Sequence, residues 1–97
     1  APSTTMNLIS WNVVGLEKDQ VFREIKKILR EHKPKIMFLC ETKLQVQLIN
    51  KKVEALNFQH CFAVSSNGKG GGLAMMWSEN VTVDIKSYNK HYIDAVA

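Results

Sequence analysis

The first part of the chain alternates apolar and polar positions in a way that predicts a strand followed by an amphipathic helix. MNLISW, residues 6–11, predicts the strand, and Gly15 ends the run behind it. A helix is expected to begin at Glu17 or Asp19, whose carboxylates can meet free backbone N–H groups, and to stop just before Pro34. Its apolar stripe recurs at helical spacing and comprises Val21, Phe22, Ile25, Ile28 and Leu29.

A second strand is predicted from IMFLC, residues 36–40, which has no polar alternation and is therefore expected to be buried on both faces. Strand, helix and buried strand together predict a parallel crossover unit. Asn12 follows the first strand and Glu41 follows the second, so both are expected at the carboxyl edge of one sheet, where open α/β folds place ligands. Amide and carboxylate oxygens at such an edge suit Mg²⁺.

The rest of the chain predicts one more helix and four strands. The strands are expected at residues 58–64, 73–77 (LAMMW), 81–88 (VTVDIKSY) and 92–97 (YIDAVA). SSNGKGGG, residues 65–72, consists of turn residues and predicts a loop. The second helix carries its apolar side chains at Val46, Ile49, Val53 and Leu56.

Composition bounds the kind of protein. A chain of 97 residues forms at most one domain, and its net charge of +4 is compatible with nucleic acid, an acidic partner or an ordinary solvated surface. Cys40 and Cys61 lie in apolar runs without a CxxC motif, so we expect two buried thiols in a reducing compartment. Without an apolar run of membrane length or a secretory signal, the expected location is intracellular, in cytoplasm or nucleus, with no membrane partner.

Other candidate chemistry has a simpler explanation. NGKGGG does not match a phosphate-binding loop, because the GK[ST] ending and a following helix are both missing. The three histidines, His32, His60 and His91, are expected at the surface or in packing rather than in catalysis. Trp11 and Trp77 each end an apolar strand and are expected in the core or at an interface. The basic residues of the first helix are expected on a solvated face, with nucleic acid as the alternative.

Five segments, taken in order, resemble the endonuclease/exonuclease/phosphatase superfamily: LISWN, Gly15-Leu16, IMFLCETK, GGLAMMW and YIDAVA. The resemblance is closest to the N-terminal endonuclease domain of plant LINE-type retrotransposon polyproteins and runs from Met6 to Ala97. It implies an α+β fold that forms half of a DNase I-like four-layer sandwich, with a mixed sheet and two helices on one face. It also implies that Asn12 and Glu41 match the family's metal-site residues, with Mg²⁺ as the cofactor if the ancestral site survives and no cofactor otherwise.

The chain departs from the family at several positions. Val13-Val14 stands where relatives commonly have Cys-Arg, Gly70 where they often have Ser, and Tyr92 where a His aligns. The family's later Asp-x-Asn and Ser-Asp-His motifs are not in these 97 residues. Phosphodiester hydrolysis needs a cation, a base for the attacking water and precise positioning, and no positioned base is recognisable, so no catalytic residue is assigned.

We therefore expect residues 6–97 to form a truncated, inactive endonuclease-like domain that acts as a dimerising protein-interaction or regulatory module. The alternative is a Mg²⁺-dependent endonuclease or phosphodiesterase with residual cleavage of nucleic acid. Residues 1–5 are expected to be an added or disordered start, with Met6 as the natural first residue.

Homodimerisation is predicted from the sheet face that the helices leave uncovered, because soluble monomers rarely expose large apolar patches. The predicted interface comprises Met75, Met76, Trp77, Tyr92, Ile93 and Val96. Alternate strand residues point to opposite faces, so only one of Met75 and Met76 is expected to matter at the interface. The final strand, residues 92–97, is expected to be unpaired in the monomer and to pair across the dimer axis. Another protein is the competing partner, and nucleic acid is possible but not favoured.

Overall fold

The computed structural model describes residues 8–67, 70–89 and 92–96. The predicted start at residues 1–5 and Met6 lie outside these described residues. The observed order is β-α-β-α followed by four strands, as predicted. The elements are β1 (Leu8–Asn12), α1 (Asp19–His32), β2 (Ile36–Cys40), α2 (Val46–Val53), a 3₁₀ turn (Glu54–Leu56), β3 (His60–Asn67), β4 (Gly70–Trp77), β5 (Asp84–Tyr88) and β6 (Ile93–Val96).

The main sheet has four strands in the order β1-β2-β4-β3. β1 runs parallel to β2, with Trp11 opposite Leu39, and α1 forms the crossover between them. β4 is antiparallel to both β2 and β3. This mixed sheet confirms the predicted parallel crossover unit and extends it with an antiparallel hairpin.

Both helices cover one face of the main sheet, which we call the helix face. α1 begins at Asp19, one of the two predicted starts, and ends at His32, after which Lys33 takes a left-handed conformation ahead of Pro34. The helices and the sheet share one core, so the predicted α+β class with two helices on one face is confirmed. The core consists of Val13, Leu16, Ile25, Met37, Leu39, Ile49, Val53, Leu56, Ala74 and Met76.

The opposite side of the main sheet, which we call the second face, carries a separate two-stranded sheet formed by β5 and β6. Tyr88 of β5 meets Phe62 of β3 edge to face, with ring centroids 4.9 Å apart. The expectation that the final strand is unpaired is therefore wrong, because β6 pairs antiparallel with β5. The prediction that the second face lies bare is also wrong, because this hairpin covers part of it.

Two predicted element boundaries are wrong, one in residues 65–72 and one in residues 81–83. SSNGKGGG does not form a loop throughout, since β3 continues to Asn67 and pairs it with Gly70 of β4. The Ser65 hydroxyl accepts a hydrogen bond of 2.8 Å from the Val46 N–H, which lets a turn-type residue serve in a strand. The alternating residues 81–83 are likewise not in a strand, and β5 begins only at Asp84.

The structure separates the two methionines of the predicted interface. Met76 is completely buried in the helix-face core, so its assignment to an interface is wrong. Met75 points to the second face, as strand alternation requires. Trp77 lies on the second face too and stacks on His60, with ring centroids 5.5 Å apart.

The two cysteines are free and half-buried, so the expectation of two buried thiols is met only in part. Burial still raises the pKa of the Cys61 thiol to about 11.

Within the described ranges, no helix is long and apolar enough to cross a membrane.

Candidate functional site at the carboxyl edge of the main sheet

Asn12 and Glu41 lie at the same edge of the main sheet because β1 and β2 are parallel and in register. Asn12, the last residue of β1, is opposite Cys40, the last residue of β2, and Glu41 follows directly. The predicted juxtaposition of the two residues is thus present in the fold. Their role in holding a metal stays a prediction.

The two loops that leave this edge are joined by backbone hydrogen bonds. The Val13 N–H donates to the Cys40 carbonyl over 3.1 Å, and the Gly15 N–H donates to the Glu41 carbonyl over 2.8 Å. The Leu16 N–H then donates to the Thr42 carbonyl over 2.9 Å. These bonds fix the Glu41 loop against the loop that follows Asn12.

The Glu41 side chain is held from the other side by the start of β4. Its Oε2 accepts a hydrogen bond of 2.9 Å from the Gly71 N–H. The Lys43 N–H donates back to the Gly71 carbonyl over 2.8 Å, and the Thr42 N–H donates to the Gly72 carbonyl over 3.1 Å. The bond to Gly71 engages Oε2, and a carboxylate has a second oxygen for a cation.

Gly72 is the position where this arrangement admits no side chain. Its φ is +94°, and a Cβ built there would overlap the Thr42 hydroxyl oxygen. Thr42 is completely buried, and that oxygen has no hydrogen-bond partner among the described residues. Sequence reasoning included Thr42, Gly71 and Gly72 in the family-like segments IMFLCETK and GGLAMMW but assigned them no role in the site, and it placed the two glycines in a loop. The signal that could have found them is a glycine pair directly ahead of the apolar run LAMMW, which is typical of a close backbone approach.

Left-handed backbone conformations cluster in the two loops. Val14 has φ 47°, Glu41 has φ 57° and Lys43 has φ 59°. Such conformations cost non-glycine residues roughly 1–3 kcal/mol each and cluster at functional sites, and a β-branched residue such as Val14 is a marked outlier. The left-handed backbone at this edge therefore indicates a functional site independently of the sequence motifs.

The residues present at this edge fit a Mg²⁺ ion that water and substrate phosphate also bind, rather than one held by protein ligands alone. Mg²⁺ is usually bound through one or two carboxylates together with water and substrate phosphate. Glu41 offers a carboxylate oxygen, and the exposed Asn12 offers an amide oxygen. No group of three or more His, Cys, Asp or Glu side chains suited to a metal occurs in the described part of the chain.

The described histidines lie away from this edge. His60 is the first residue of β3 and aligns with Trp77 and Ile36, at the end of the sheet opposite Glu41. His32 closes α1 immediately before the amino end of β2. His91 falls outside the described residues.

Several solved structures share this fold. The 3′ phosphatase NExo from Neisseria, bound to product DNA hairpin, has a TM-score of 0.63 and 24% identity over 84% of this chain and 31% of its own. An AP endonuclease from Archaeoglobus fulgidus has a TM-score of 0.60 and 22% identity over 89% of this chain and 34% of its own. An AP endonuclease from Leishmania major has a TM-score of 0.57 and 22% identity, with 80% and 25% covered.

These neighbours belong to the endonuclease/exonuclease/phosphatase superfamily, and the expected DNase I-like fold is confirmed. This chain spans only about a quarter to a third of the length of those solved structures. No protein-family model matches the sequence, and no curated protein matches it.

Proposed function

We propose that this chain forms the half of an endonuclease/exonuclease/phosphatase-like domain that supplies Asn12 and Glu41 to a cation site. In this proposal the 97-residue chain does not cut nucleic acid by itself and acts as a dimerising protein-interaction or regulatory module. The observation that carries the proposal is the carboxyl edge, where Glu41 is oriented by the Gly71 N–H over 2.9 Å beside Asn12. The site is built, yet it offers one carboxylate where hydrolysis needs further groups.

Each residue of the edge has a stated role in the proposal. Glu41 and Asn12 would hold Mg²⁺, which when bound offsets negative charge on phosphate oxygens. The Gly71 N–H orients the Glu41 carboxylate, and the lack of a side chain at Gly72 leaves space for the Thr42 hydroxyl. None of these groups is placed to take a proton from an attacking water, which supports an inactive chain.

Dimerisation is proposed to use the part of the second face that the hairpin leaves open. A cavity of about 210 Å³ there is lined by Leu8, Ser10, Phe38, Met75, Ile93 and Ala95. Tyr92 and Val96 on the hairpin are 47% and 56% exposed, and Leu8 is 61% exposed. Tyr92 and Val96 lie on the outer face of the hairpin, away from Ile93 and Ala95, so a second copy that places this outer face over the cavity would form an isologous, largely apolar interface. Another protein with an apolar strand or hairpin is the alternative occupant.

Plasmid nicking in Mg²⁺ or Mn²⁺ tests the catalytic part of the proposal. We expect equal, background-level nicking by the wild type and by Glu41→Ala. Glu31→Ala, an exposed carboxylate on α1, is the matched control. Metal-dependent cleavage that disappears in Glu41→Ala alone would overturn the proposal.

Calorimetry tests the metal part. Too few carboxylates converge for an ion that dehydrates reluctantly, so little heat is expected at millimolar Mg²⁺. Tight stoichiometric binding would mean that another chain completes the ligand set.

Light scattering tests the oligomeric part. A mass near twice 11.0 kDa is expected at micromolar concentration. A stable monomer would refute the dimer and leave the metal and cleavage results unaffected.

A second candidate is a Mg²⁺-dependent endonuclease or phosphodiesterase, and one observation favours it. Left-handed backbone at Val14, Glu41 and Lys43 is costly to keep in a site without use. The nicking experiment decides between the two functions.

The plant LINE-type origin and an intracellular location, cytoplasm or nucleus, complete the proposal. The first is supported by the motif order from LISWN to YIDAVA, and the second by two free thiols at Cys40 and Cys61.

A further inference from the structure

The net charge of this protein comes from the stretch that contains its helical layer, and the helices and the 3₁₀ turn themselves carry six Lys or Arg and four Asp or Glu. Residues 17–57, which span α1, β2, α2 and the 3₁₀ turn, contain ten Lys or Arg and six Asp or Glu, which accounts for the whole net charge of +4. The remaining residues contain equal numbers of basic and acidic side chains. A basic layer of this kind attracts acidic partners.

Two lysines of this layer converge on one ring. The ammonium of Lys26 lies 5.0 Å from the centroid of the half-buried Phe22 ring, and the ammonium of Lys52 lies 5.1 Å from it. The two like charges are therefore at most about 10 Å apart and repel each other. Neither ammonium has a carboxylate partner within salt-bridge distance among the described residues. An anion placed between them would relieve the repulsion.

Lys52 also lines one surface cavity and Lys26 another, so the Phe22 ring links the two, and we call the two cavities with this ring the α1–α2 groove. Toward the start of α2 the groove widens into a cavity of about 370 Å³, lined by Glu17, Leu44, Leu48, Lys51 and Lys52. Toward the 3₁₀ turn it widens into a cavity of about 380 Å³, lined by Lys26, Leu29, Arg30, Ala55, Leu56 and Asn57. Each cavity combines aliphatic side chains with two cations, the cavity at the start of α2 also has the Glu17 carboxylate, and Leu48 is 51% exposed.

The spacing of two leucines that line the two cavities is close to that of two anchors on one face of a helix. From Leu48 to Leu56 the chain advances about 12–13 Å along α2 and the 3₁₀ turn, at 1.5 Å and 2.0 Å per residue. Two apolar side chains seven or eight residues apart on a helical ligand are separated by about 10–12 Å. Acidic residues at the intervening third and fourth positions would then face Lys26 and Lys52.

We propose that the α1–α2 groove binds an acidic amphipathic helix from a partner protein. Two leucine-type anchors enter the two cavities, and carboxylates between them bridge Lys26 and Lys52. Single-stranded nucleic acid fits less well, because bases stack on open aromatic faces. Here the Phe22 ring already has two ammonium groups beside it, and the cavity side chains are aliphatic.

Fluorescence anisotropy with a labelled synthetic peptide of about 16 residues tests the proposal. The probe is an alanine-based helix with two leucines seven residues apart and two glutamates at the third and fourth positions between them. Binding should weaken at least tenfold as salt rises from about 50 to 300 mM, since screening weakens exposed charge pairs. A peptide with glutamine in place of both glutamates should bind at least tenfold more weakly. A dT₂₀ oligonucleotide is the nucleic-acid probe.

Charge-reversal variants locate the site. The double variant Lys26→Glu and Lys52→Glu should lose at least tenfold in affinity for the acidic peptide. Lys27→Glu with Lys35→Glu changes the net charge equally at exposed positions outside both cavities, and should bind nearly as the wild type does. Leu48→Ser, at an exposed position with little folding cost, should also weaken binding. Circular dichroism confirms that each variant is folded.

Three results would overturn the proposal. They are no binding of the acidic peptide at about 1 mM, equal losses in the two charge-reversal doubles, or tighter binding of dT₂₀ than of the peptide with the same dependence on Lys26 and Lys52. None of these results bears on the carboxyl edge or on the second face.

Discussion

The two faces of the main sheet are built from the same strands but differ in how completely their side chains are buried. On the helix face, Met37, Leu39 and Met76 have no exposed surface. On the second face, their strand neighbours Phe38 and Met75 are only half-buried beside an open cavity of about 210 Å³. Ile36 and Leu73 are buried on the second face as well, so the opening is local and lies between β1 and β6.

The difference follows from how much surface each cover supplies. Two helices with apolar stripes fully bury the helix-face side chains of the central strands β2 and β4 and partly bury those of β1 and β3, whereas one two-stranded hairpin is too narrow to cover the second face. Since the hydrophobic free energy scales with the apolar area removed from water, most of the folding stability comes from the helix face. The second face keeps unburied apolar area that a partner can use.

The largest expected effect is that of Met76→Asp. An unpaired carboxylate in a fully buried position costs several kcal/mol, which approaches the whole stability of a small domain. We expect loss of cooperative urea unfolding for Met76→Asp and a folded circular dichroism spectrum for Met75→Asp. Equal damage by both substitutions would mean that the two faces are equally sealed.

Gly72→Ala tests how far the sealed packing extends toward the carboxyl edge. A Cβ at Gly72 meets Thr42 and φ is +94°, so we expect a loss of about 2–3 kcal/mol in the free energy of unfolding. Gly70→Ala is the matched control, because a Cβ there meets nothing within 4 Å, and should cost less than about 1 kcal/mol. Urea titrations of the two variants measure both values. Similar losses would show that Thr42 does not pack closely on Gly72.

Met75→Asp sharpens the comparison at the second face. The charge enters the proposed dimer interface, so we expect the dimer to dissociate with at least a tenfold rise in Kd, equivalent to about 1.4 kcal/mol. Sedimentation across a concentration series measures this shift. A dimer of unchanged affinity would place the interface elsewhere.

The two cysteines give the smallest effect, one on each face. Cys61 packs against the helix-face core, and burial raises its thiol pKa from 9.0 to about 11, whereas Cys40 lies on the second face, where burial and then Glu41 raise its pKa. At pH 8 the Cys61 thiolate should be about 100-fold scarcer than in an unfolded chain, so alkylation should be correspondingly slow.

The same shift sets a pH dependence. The unfolded chain loses the Cys61 proton near pH 9.0 and the folded chain only near 11, so stability should fall as pH rises through that interval. Cys61→Ala should flatten that fall in urea titrations at about pH 8 and 10.5. An unchanged slope would show that the Cys61 thiol is solvated in the fold.

The sequence alone was sufficient to predict the elements that have an extended apolar repeat or clear start and stop residues. The stripe from Val21 to Leu29, an acidic start and Pro34 predict α1, and IMFLC predicts a buried strand. Because parallel neighbours meet at one edge, the same pattern also placed Asn12 beside the Glu41 loop. These features depend on local spacing and on one right-handed crossover, both of which a sequence specifies.

Only the tertiary structure decided the rest. Glycine and serine in residues 65–72 favour turns by composition, yet most of these residues lie in β3 and β4, which pair with each other. The Val46 N–H also donates to the Ser65 hydroxyl. Strand alternation predicts that Met75 and Met76 point to opposite faces of the sheet. Which of the two packs against the helices depends on the register of β4 with β2. The left-handed Glu41, held by Gly71 some thirty residues later, depends on contacts that no local pattern carries.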